Sequence, residues 1–226
     1  MWLMRKPGPA LDGLREFVET LPPGCSVLEV GSYAGESASV FATRAAHVWC
    51  VDPWLPYADE LDHGPQGCPD LKAAEHTFDA VARRSHGTIV KIRAPSLVAA
   101  NIIAPFSMDC VYLDGPHGEG DTIQQIYAWV KKVRPGGVLA GHDYVAPEFA
   151  TVIRAVDSCF GKPDHVYQDS TWVVKGAENG PLQRLLPGPK RRLPLPGPPL
   201  VAPRTGLYVT GTDLPTRTDL PEIRTL

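Results

Sequence analysis

The sequence predicts an α/β fold: a mostly parallel, doubly wound sheet of seven strands with helices on both faces. Apolar runs and helix-spaced segments alternate five times between residues 10 and 160. Such alternation requires crossover connections, which make neighbouring strands parallel. The last two runs, "HVYQD" and "TWVVKG", follow each other too closely for a crossover helix. They are therefore expected to pair antiparallel, as a hairpin at one edge of the sheet.

The helices are predicted from apolar residues that recur every three or four positions. Leu11, Leu14 and Phe17 show this spacing in the first helix, which Pro22-Pro23-Gly24 ends. Pro135-Gly136-Gly137 is expected to end the fifth helix in the same way. The predicted helices are 10–21, 35–46, 71–85, 96–103, 120–133 and 148–160.

The strands are predicted from short apolar runs bounded by glycine, proline or polar residues. Cys50 and Cys110 lie inside two of them, where a thiol behaves as a small hydrophobic group. The predicted strands are 26–32, 47–54, 87–95, 108–115, 138–144, 165–169 and 171–176.

Length and composition predict one ordinary domain. A chain of 226 residues with 43% hydrophobic residues suits a single core. Its net charge of −3 favours neither nucleic acid nor an anionic membrane as a partner. We expect no signal peptide and no membrane span. Five scattered cysteines argue against a disulfide framework and for a reducing, cytoplasmic location.

The composition changes after Gly176. Residues 1–176 are predicted to form the domain, and 177–226 an extended or disordered tail, because proline is too frequent there for a helix or central strand. The tail is interpreted as an inert linker. A proline-rich docking segment, or an arm that packs on a second copy in a homo-oligomer, stays open as an alternative.

The first strand leads into a glycine loop, "GSYAG", in the crevice where open α/β sheets bind ligands. A dinucleotide fingerprint requires glycine at 31, 33 and 36, but Tyr33 and Glu36 occupy the last two positions. Glu36, at the start of the helix, would also repel a pyrophosphate. The loop therefore favours a nucleoside ligand without phosphates over NAD or FAD.

Asp52 ends the second strand, 21 residues after Gly31. A carboxylate at that distance is placed to accept hydrogen bonds from both hydroxyls of a ribose. The alternative is structural: Asp52 could cap the strand end before Pro53.

Four motifs follow one another along the chain: "VLEVGSYAGESA", "CVDPW", "VYLDGPH" and "RPGGVLAGHDY". Together with the edge hairpin they resemble the class I S-adenosylmethionine-dependent methyltransferases, whose fold is Rossmann-like. The resemblance is to the branch that O-methylates sugars and other small hydroxylated molecules, and it covers roughly residues 10–176. It implies S-adenosylmethionine as cofactor and a small-molecule substrate.

The resemblance also implies which residues contact the cofactor. The methionine part would contact Glu29, Gly31, Ser32 and Gly35. The ribose would contact Asp52, with Trp54 nearby, and the adenine would lie near Ala94, Pro95 and Ser96. Asp114 completes this set. Glu29 is acidic, as the family pattern requires near the cofactor's amino group, whereas Tyr33 stands where many members have a second glycine.

Asp114 ends the fourth strand and Asp143 the fifth, so both are expected at the same rim of the sheet. Two carboxylates brought close repel each other unless a cation or a proton lies between them. Oxygen ligands suit Mg²⁺, and the resemblance implies a metal held by Asp114, Asp143 and His142. Metal-dependent members have an acid or amide where this chain has His142, and a nitrogen is a poorer Mg²⁺ ligand.

The alternative to a metal is a histidine base. Methyl transfer requires an acceptor oxygen to be aligned and deprotonated. His117 and His142 both lie at the predicted rim and, with Asp143, form the candidate catalytic set. Each histidine also has a structural interpretation, His117 as a surface loop residue and His142 as a partner of a strand end. The sequence leaves the choice between metal and base open.

Other functions stay open as well. The same fold and cofactor could methylate nitrogen or transfer another group, and a non-catalytic assembly module could use the tail as its contact arm. Acids at three strand ends, Asp52, Asp114 and Asp143, favour an enzyme. The inserted loop 55–70 is expected to be solvated, with closure over the crevice as the alternative.

Overall fold

The computed structural model describes residues 9–55 and 70–176. One seven-stranded sheet runs through it in the order β3-β2-β1-β4-β5-β7-β6. The strands are β1 Ser26–Val30, β2 His47–Asp52, β3 Ile89–Arg93, β4 Met108–Leu113, β5 Val133–Gly141, β6 His165–Val166 and β7 Trp172–Lys175. The first five pair parallel, and β7 pairs antiparallel with β5 and β6. The predicted doubly wound, Rossmann-like fold with an edge hairpin is confirmed.

Helices cover both faces of this sheet, because each carries one apolar stripe. They are α1 Asp12–Thr20, α2 Glu36–Phe41, α3 Leu71–Arg84, α4 Ser96–Ile102, α5 Glu119–Trp129 and α6 Ala150–Phe160. One core lies under α1–α3, where the rings of Phe17 and Phe41 pack on Tyr112. The other lies under α4–α6 and contains Ile126 and Trp129. Within the described ranges, no helix has both the length and the apolar character needed to cross a bilayer.

The fifth strand begins earlier than the sequence predicts. β5 starts at Val133, and its register against β4 shifts between the pairs Met108–Val133 and Cys110–Val138. The intervening Pro135-Gly136-Gly137 therefore forms an irregularity within the strand. Proline and glycine are accommodated in a strand at such a bulge. The predicted tail 177–226 and almost all of the loop 55–70 lie outside the described residues.

The carboxyl ends of the central strands are joined to one another by backbone hydrogen bonds. The N–H of Gly31 donates to the carbonyl of Val51 over 2.8 Å, and that of Asp114 to Val30 over 2.8 Å. The N–H of His142 donates to Leu113 over 3.0 Å. The loops after β1, β4 and β5 consequently form one continuous edge, where the candidate site residues meet.

Candidate active site

The glycine loop is shaped by packing against the neighbouring loop. Gly31 has φ +87°, a conformation that side chains rarely adopt. A Cβ at Gly31 would overlap the backbone carbonyl oxygen of Asp114. A Cβ at Gly35 would lie 3.2 Å from the ring of Phe78 on α3. A close contact with backbone therefore requires glycine at 31, whereas at 35 the backbone conformation, with φ +88°, favours glycine and the contact with Phe78 only adds to it.

Glu29 lies beneath this loop and is completely buried. Among the described residues, neither of its carboxylate oxygens has a well-formed hydrogen bond, and the hydroxyl of Ser32, also buried, has none either. Burial raises the pKa of Glu29 to about 7, only partly opposed by the nearby hydroxyls of Ser37 and Ser32. A buried acid with unused acceptors can receive a cationic or hydrogen-bond-donating ligand group.

Asp52 holds the backbone on both sides of the crevice. Its Oδ2 accepts a hydrogen bond from the N–H of Tyr33 over 2.9 Å, and its Oδ1 accepts from the N–H of Trp54 over 2.7 Å. The indole Nε1 of Trp54 donates to the carbonyl of Tyr33 over 2.7 Å. Burial raises the pKa of Asp52, although these backbone donors oppose the effect. The strand-end interpretation of Asp52 thus describes real contacts, and its role at the ribose stays a prediction.

The turn after β3 is supported from α5. Ala94 and Pro95 lead into α4, and Ser96 Oγ accepts a hydrogen bond from Trp129 Nε1 over 2.8 Å. The same hydroxyl is 3.4 Å from Gln125 Oε1. Gln125 and Trp129 were not predicted as site residues, because one sequence gives no sign that a polar residue on a buried helical stripe reaches another loop.

Asp143 is the centre of the rim. His117 Nε2 lies 2.8 Å from Asp143 Oδ2, and His142 Nδ1 lies 2.7 Å from Asp143 Oδ1. Each carboxylate oxygen therefore has one imidazole. Ser170 Oγ is 3.4 Å from the other ring nitrogen of His142, and the ring of His117 packs on Phe149 with centroids 4.7 Å apart. The structure brings together all three residues of the predicted catalytic set.

The charge of Asp143 follows from these contacts. Burial by itself would raise the pKa of Asp143, but the hydrogen bonds from His117 and His142 outweigh it and hold the pKa well below the usual value. Asp143 is consequently an anion that accepts one N–H from each ring. The nitrogens that face the carboxylate, His117 Nε2 and His142 Nδ1, are therefore the ones that carry the donated hydrogens.

The same rim presents atoms that fit a cation. Ligand atoms of Asp114, His117 and Asp143 all lie within 4.8 Å of one another. His142 Nδ1 is 3.9 Å from Asp114 Oδ1, but its ring is oriented toward Asp143. The geometry therefore groups His117 with the two acids, where the sequence had placed His142. Two carboxylate oxygens and an imidazole suit Mn²⁺ or a similar transition ion better than Mg²⁺.

These residues line one cleft. Asp114, His117 and Asp143 form its wall from the β4 and β5 loops, while Thr122 and Gln125 close it from α5. Gln125 therefore connects the rim to the turn that carries Ser96. The two acids and both histidines therefore share one cleft, and Asp114 is the one residue of the predicted cofactor set among the residues that line it.

Comparison with known proteins identifies the family of this chain. A family model described as a methyltransferase domain matches residues 28–144. Among solved structures, a protein from Corynebacterium glutamicum superposes with a TM-score of 0.55 at 15% identity, over 76% of this chain and 82% of that one. Precorrin-6y C5,15-methyltransferase from Geobacter metallireducens superposes with a TM-score of 0.50 at 8% identity, over 70% and 74% of the two chains.

At such identities the solved structures support the fold alone, and no curated protein matches the sequence. The family model covers just over half of the chain, including the glycine loop, Asp52, Asp114 and the His142–Asp143 pair. The chain therefore belongs to the methyltransferase-domain family and is a class I S-adenosylmethionine-dependent methyltransferase.

Proposed function

We propose that this enzyme transfers the methyl group of S-adenosylmethionine to a hydroxyl oxygen of a small molecule, of sugar or natural-product type, with His117 as the general base. The observation that carries the proposal is the pair of imidazoles on the two oxygens of Asp143. A base at this place serves an acceptor that must lose a proton as it attacks, which is the case for a hydroxyl.

The chemistry balances with the residues present. The acceptor oxygen attacks the sulfonium methyl, the new C–O bond forms as the S–C bond breaks, and S-adenosylhomocysteine leaves as a neutral thioether. Asp143 holds the ring of His117 through Nε2, and once the acceptor is bound the imidazole of His117 takes the hydroxyl proton. The Asp143 carboxylate stabilises the resulting imidazolium, as a buried acid does for a catalytic histidine in other enzymes.

The cofactor would lie between the glycine loop and β2. Glu29 and Ser32 offer unused acceptors for the amino group of the methionine part, and Asp52 offers its carboxylate to the ribose. Trp54 and Gly35 support this wall, and the Ser96 turn closes the adenine end. The sulfonium would then face the rim formed by Asp114 and Asp143.

A metal-assisted variant of the same reaction is the second candidate, favoured by the cluster of Asp114, His117 and Asp143. These three residues would hold a divalent cation. When bound, the ion would supply Lewis-acid chemistry by lowering the pKa of the acceptor hydroxyl. His117 would then be a ligand instead of the base.

The test begins with cofactor binding and then separates base from metal. Calorimetry with S-adenosylmethionine establishes the site, and absence of binding at high micromolar concentration would refute both candidates. Formation of S-adenosylhomocysteine is then followed by mass spectrometry with a panel of hydroxylated acceptors, with EDTA or with added Mn²⁺ or Mg²⁺.

His117→Ala tests both candidates, because it should abolish turnover in either case. Asp114→Asn discriminates between them when it is assayed at saturating S-adenosylmethionine, which compensates for any loss of cofactor affinity: it should abolish turnover only if a metal is held. With a histidine base, EDTA leaves the rate unchanged and Asp114→Asn retains most of it. His165→Ala, on the exposed strand β6, is the matched control and should behave as the wild type. A product with the methyl on nitrogen or carbon would refute O-methylation.

A further inference from the structure

Lys91 is a charged residue buried outside the rim. It lies on β3 opposite Cys50 of β2, and its side chain is only 9% exposed. Its Nζ is 2.7 Å from Glu75 Oε1 and 2.7 Å from Asp79 Oδ1, both on α3. Arg93 Nε lies 3.0 Å from the same Glu75 oxygen. Burying an ammonium is costly, and the two carboxylates compensate for it.

The same ammonium supports Trp54. Lys91 Nζ lies 4.6 Å from the centroid of the Trp54 ring, within the range of a cation–π interaction. The indole also packs on Phe78 of α3, with centroids 4.9 Å apart. Trp54 is thereby fixed between a strand and a helix, although neither belongs to the loops of the cleft.

Trp54 needs such support because its backbone is strained. Its φ is +47°, and that of Tyr33 is +42°. Non-glycine residues keep such conformations only where several contacts impose them. Here the contacts are the two hydrogen bonds on Asp52 and the bond from Trp54 Nε1 to the Tyr33 carbonyl. The indole therefore transmits the position of Lys91 to both residues that shape the ribose end of the crevice.

We propose that Lys91 is a positioning residue for cofactor binding: its ammonium holds the Trp54 indole and, through it, the Asp52 carboxylate and the Tyr33 backbone. The inference rests on the proposed role of Asp52 at the ribose. Lys91 itself touches no reacting group. Its effect should fall on cofactor affinity, and within that on recognition of the ribose hydroxyls.

The experiment measures binding of S-adenosylhomocysteine and of its 2′-deoxy analogue by calorimetry, at a temperature where each variant is folded. The wild type should prefer the hydroxylated ligand. Lys91→Met should bind S-adenosylhomocysteine about tenfold more weakly and lose most of that preference. Lys91→Arg, which keeps a cation beneath the indole, should retain both the affinity for S-adenosylhomocysteine and the preference for it over the 2′-deoxy analogue. General loss of stability would not change the ratio of the two affinities.

A charge-matched variant separates the loss of positioning from the effect of leaving carboxylates without a cation. Lys91→Met combined with Asp79→Asn keeps the net charge of the wild type, and Glu75 keeps Arg93 as its partner. The double variant therefore also serves if Lys91→Met alone does not fold. The double variant should bind as weakly as Lys91→Met. Recovery of affinity, or an unchanged ratio of the two ligands, would overturn the inference. Absence of binding by the wild type would overturn the proposed function and this inference with it.

Discussion

Glu29→Gln should change how the stability of this enzyme depends on pH. Glu29 is fully buried, and burial raises its pKa from the ordinary 4.5 to about 7. Below pH 4.5 both the folded and the unfolded chain carry the proton, so Glu29 adds no penalty. As the pH rises toward 7 the unfolded chain releases the proton while the folded chain keeps it, and the free energy of unfolding falls.

The size of the effect follows from the two pKa values. Their separation corresponds to about 3 kcal/mol, because a tenfold change in an equilibrium is worth about 1.4 kcal/mol. The loss is complete above pH 7 and absent below pH 4.5. Glutamine has nearly the same shape and does not ionise. The difference in stability between Glu29→Gln and the wild type should therefore move by about 3 kcal/mol in favour of the variant between pH 4.5 and pH 8.

Urea denaturation followed by circular dichroism across this pH range measures the difference. Any constant cost of placing an amide beside Ser32 shifts the stability difference equally at both ends of the pH range. Only the change of that difference with pH is therefore diagnostic. Glu19→Gln, on the exposed side of α1, removes one carboxylate at the surface and controls for the loss of charge. If the difference between Glu29→Gln and the wild type stays constant from pH 4.5 to pH 8, the reasoning about Glu29 is wrong.

Three further substitutions test the site and the loop beneath it. Asp143→Asn leaves an amide between two imidazoles and should slow S-adenosylhomocysteine formation at least about 100-fold. The variant and the wild type should bind S-adenosylhomocysteine with affinities within about threefold of each other, measured by calorimetry. An unchanged rate would contradict the role of Asp143. Asp52→Asn keeps only one acceptor oxygen for two backbone N–H groups and should lower the free energy of unfolding by about 1–3 kcal/mol. It should also weaken the binding of S-adenosylhomocysteine. If stability and affinity both stay unchanged, the role given to these contacts is wrong. Gly31→Ala should cost more than about 3 kcal/mol, because the new methyl meets backbone in addition to the unfavourable conformation. Gly161→Ala, with φ +80° and ψ −156° but open space around it, should cost about 1–3 kcal/mol. Equal losses in urea denaturation would show that conformation alone decides.

The order of elements was readable from local patterns. Alternating strands and helices require parallel pairing, and two strands without a crossover require a hairpin, so the topology follows from segment lengths. The bounds were less exact: β5 begins at Val133 instead of 138, because its proline and glycines form a bulge against β4. A bulge depends on the partner strand, which the pattern within one segment does not contain.

The candidate site was predictable as a set of strand ends. Asp52, Asp114 and Asp143 each follow a predicted strand, and parallel strands end at one edge. His117 was identified as a base but not as a neighbour of both acids, since its distance from Asp143 depends on how the loop after β4 folds back. The support from Gln125 and Lys91 could not be read at all, because each acts on a loop far away in the sequence.

The sequence by itself determined the fold, the order of the motifs and the residue types available at the rim, since these follow from periodicity and chain direction. Only the tertiary structure decided their partners. It gave each oxygen of Asp143 an imidazole, left the buried carboxylate of Glu29 without a strong hydrogen bond among the described residues, and placed Lys91 beneath Trp54. The physical reason is that charge state and proton affinity depend on distances between side chains from different elements, and packing of the whole sheet sets those distances.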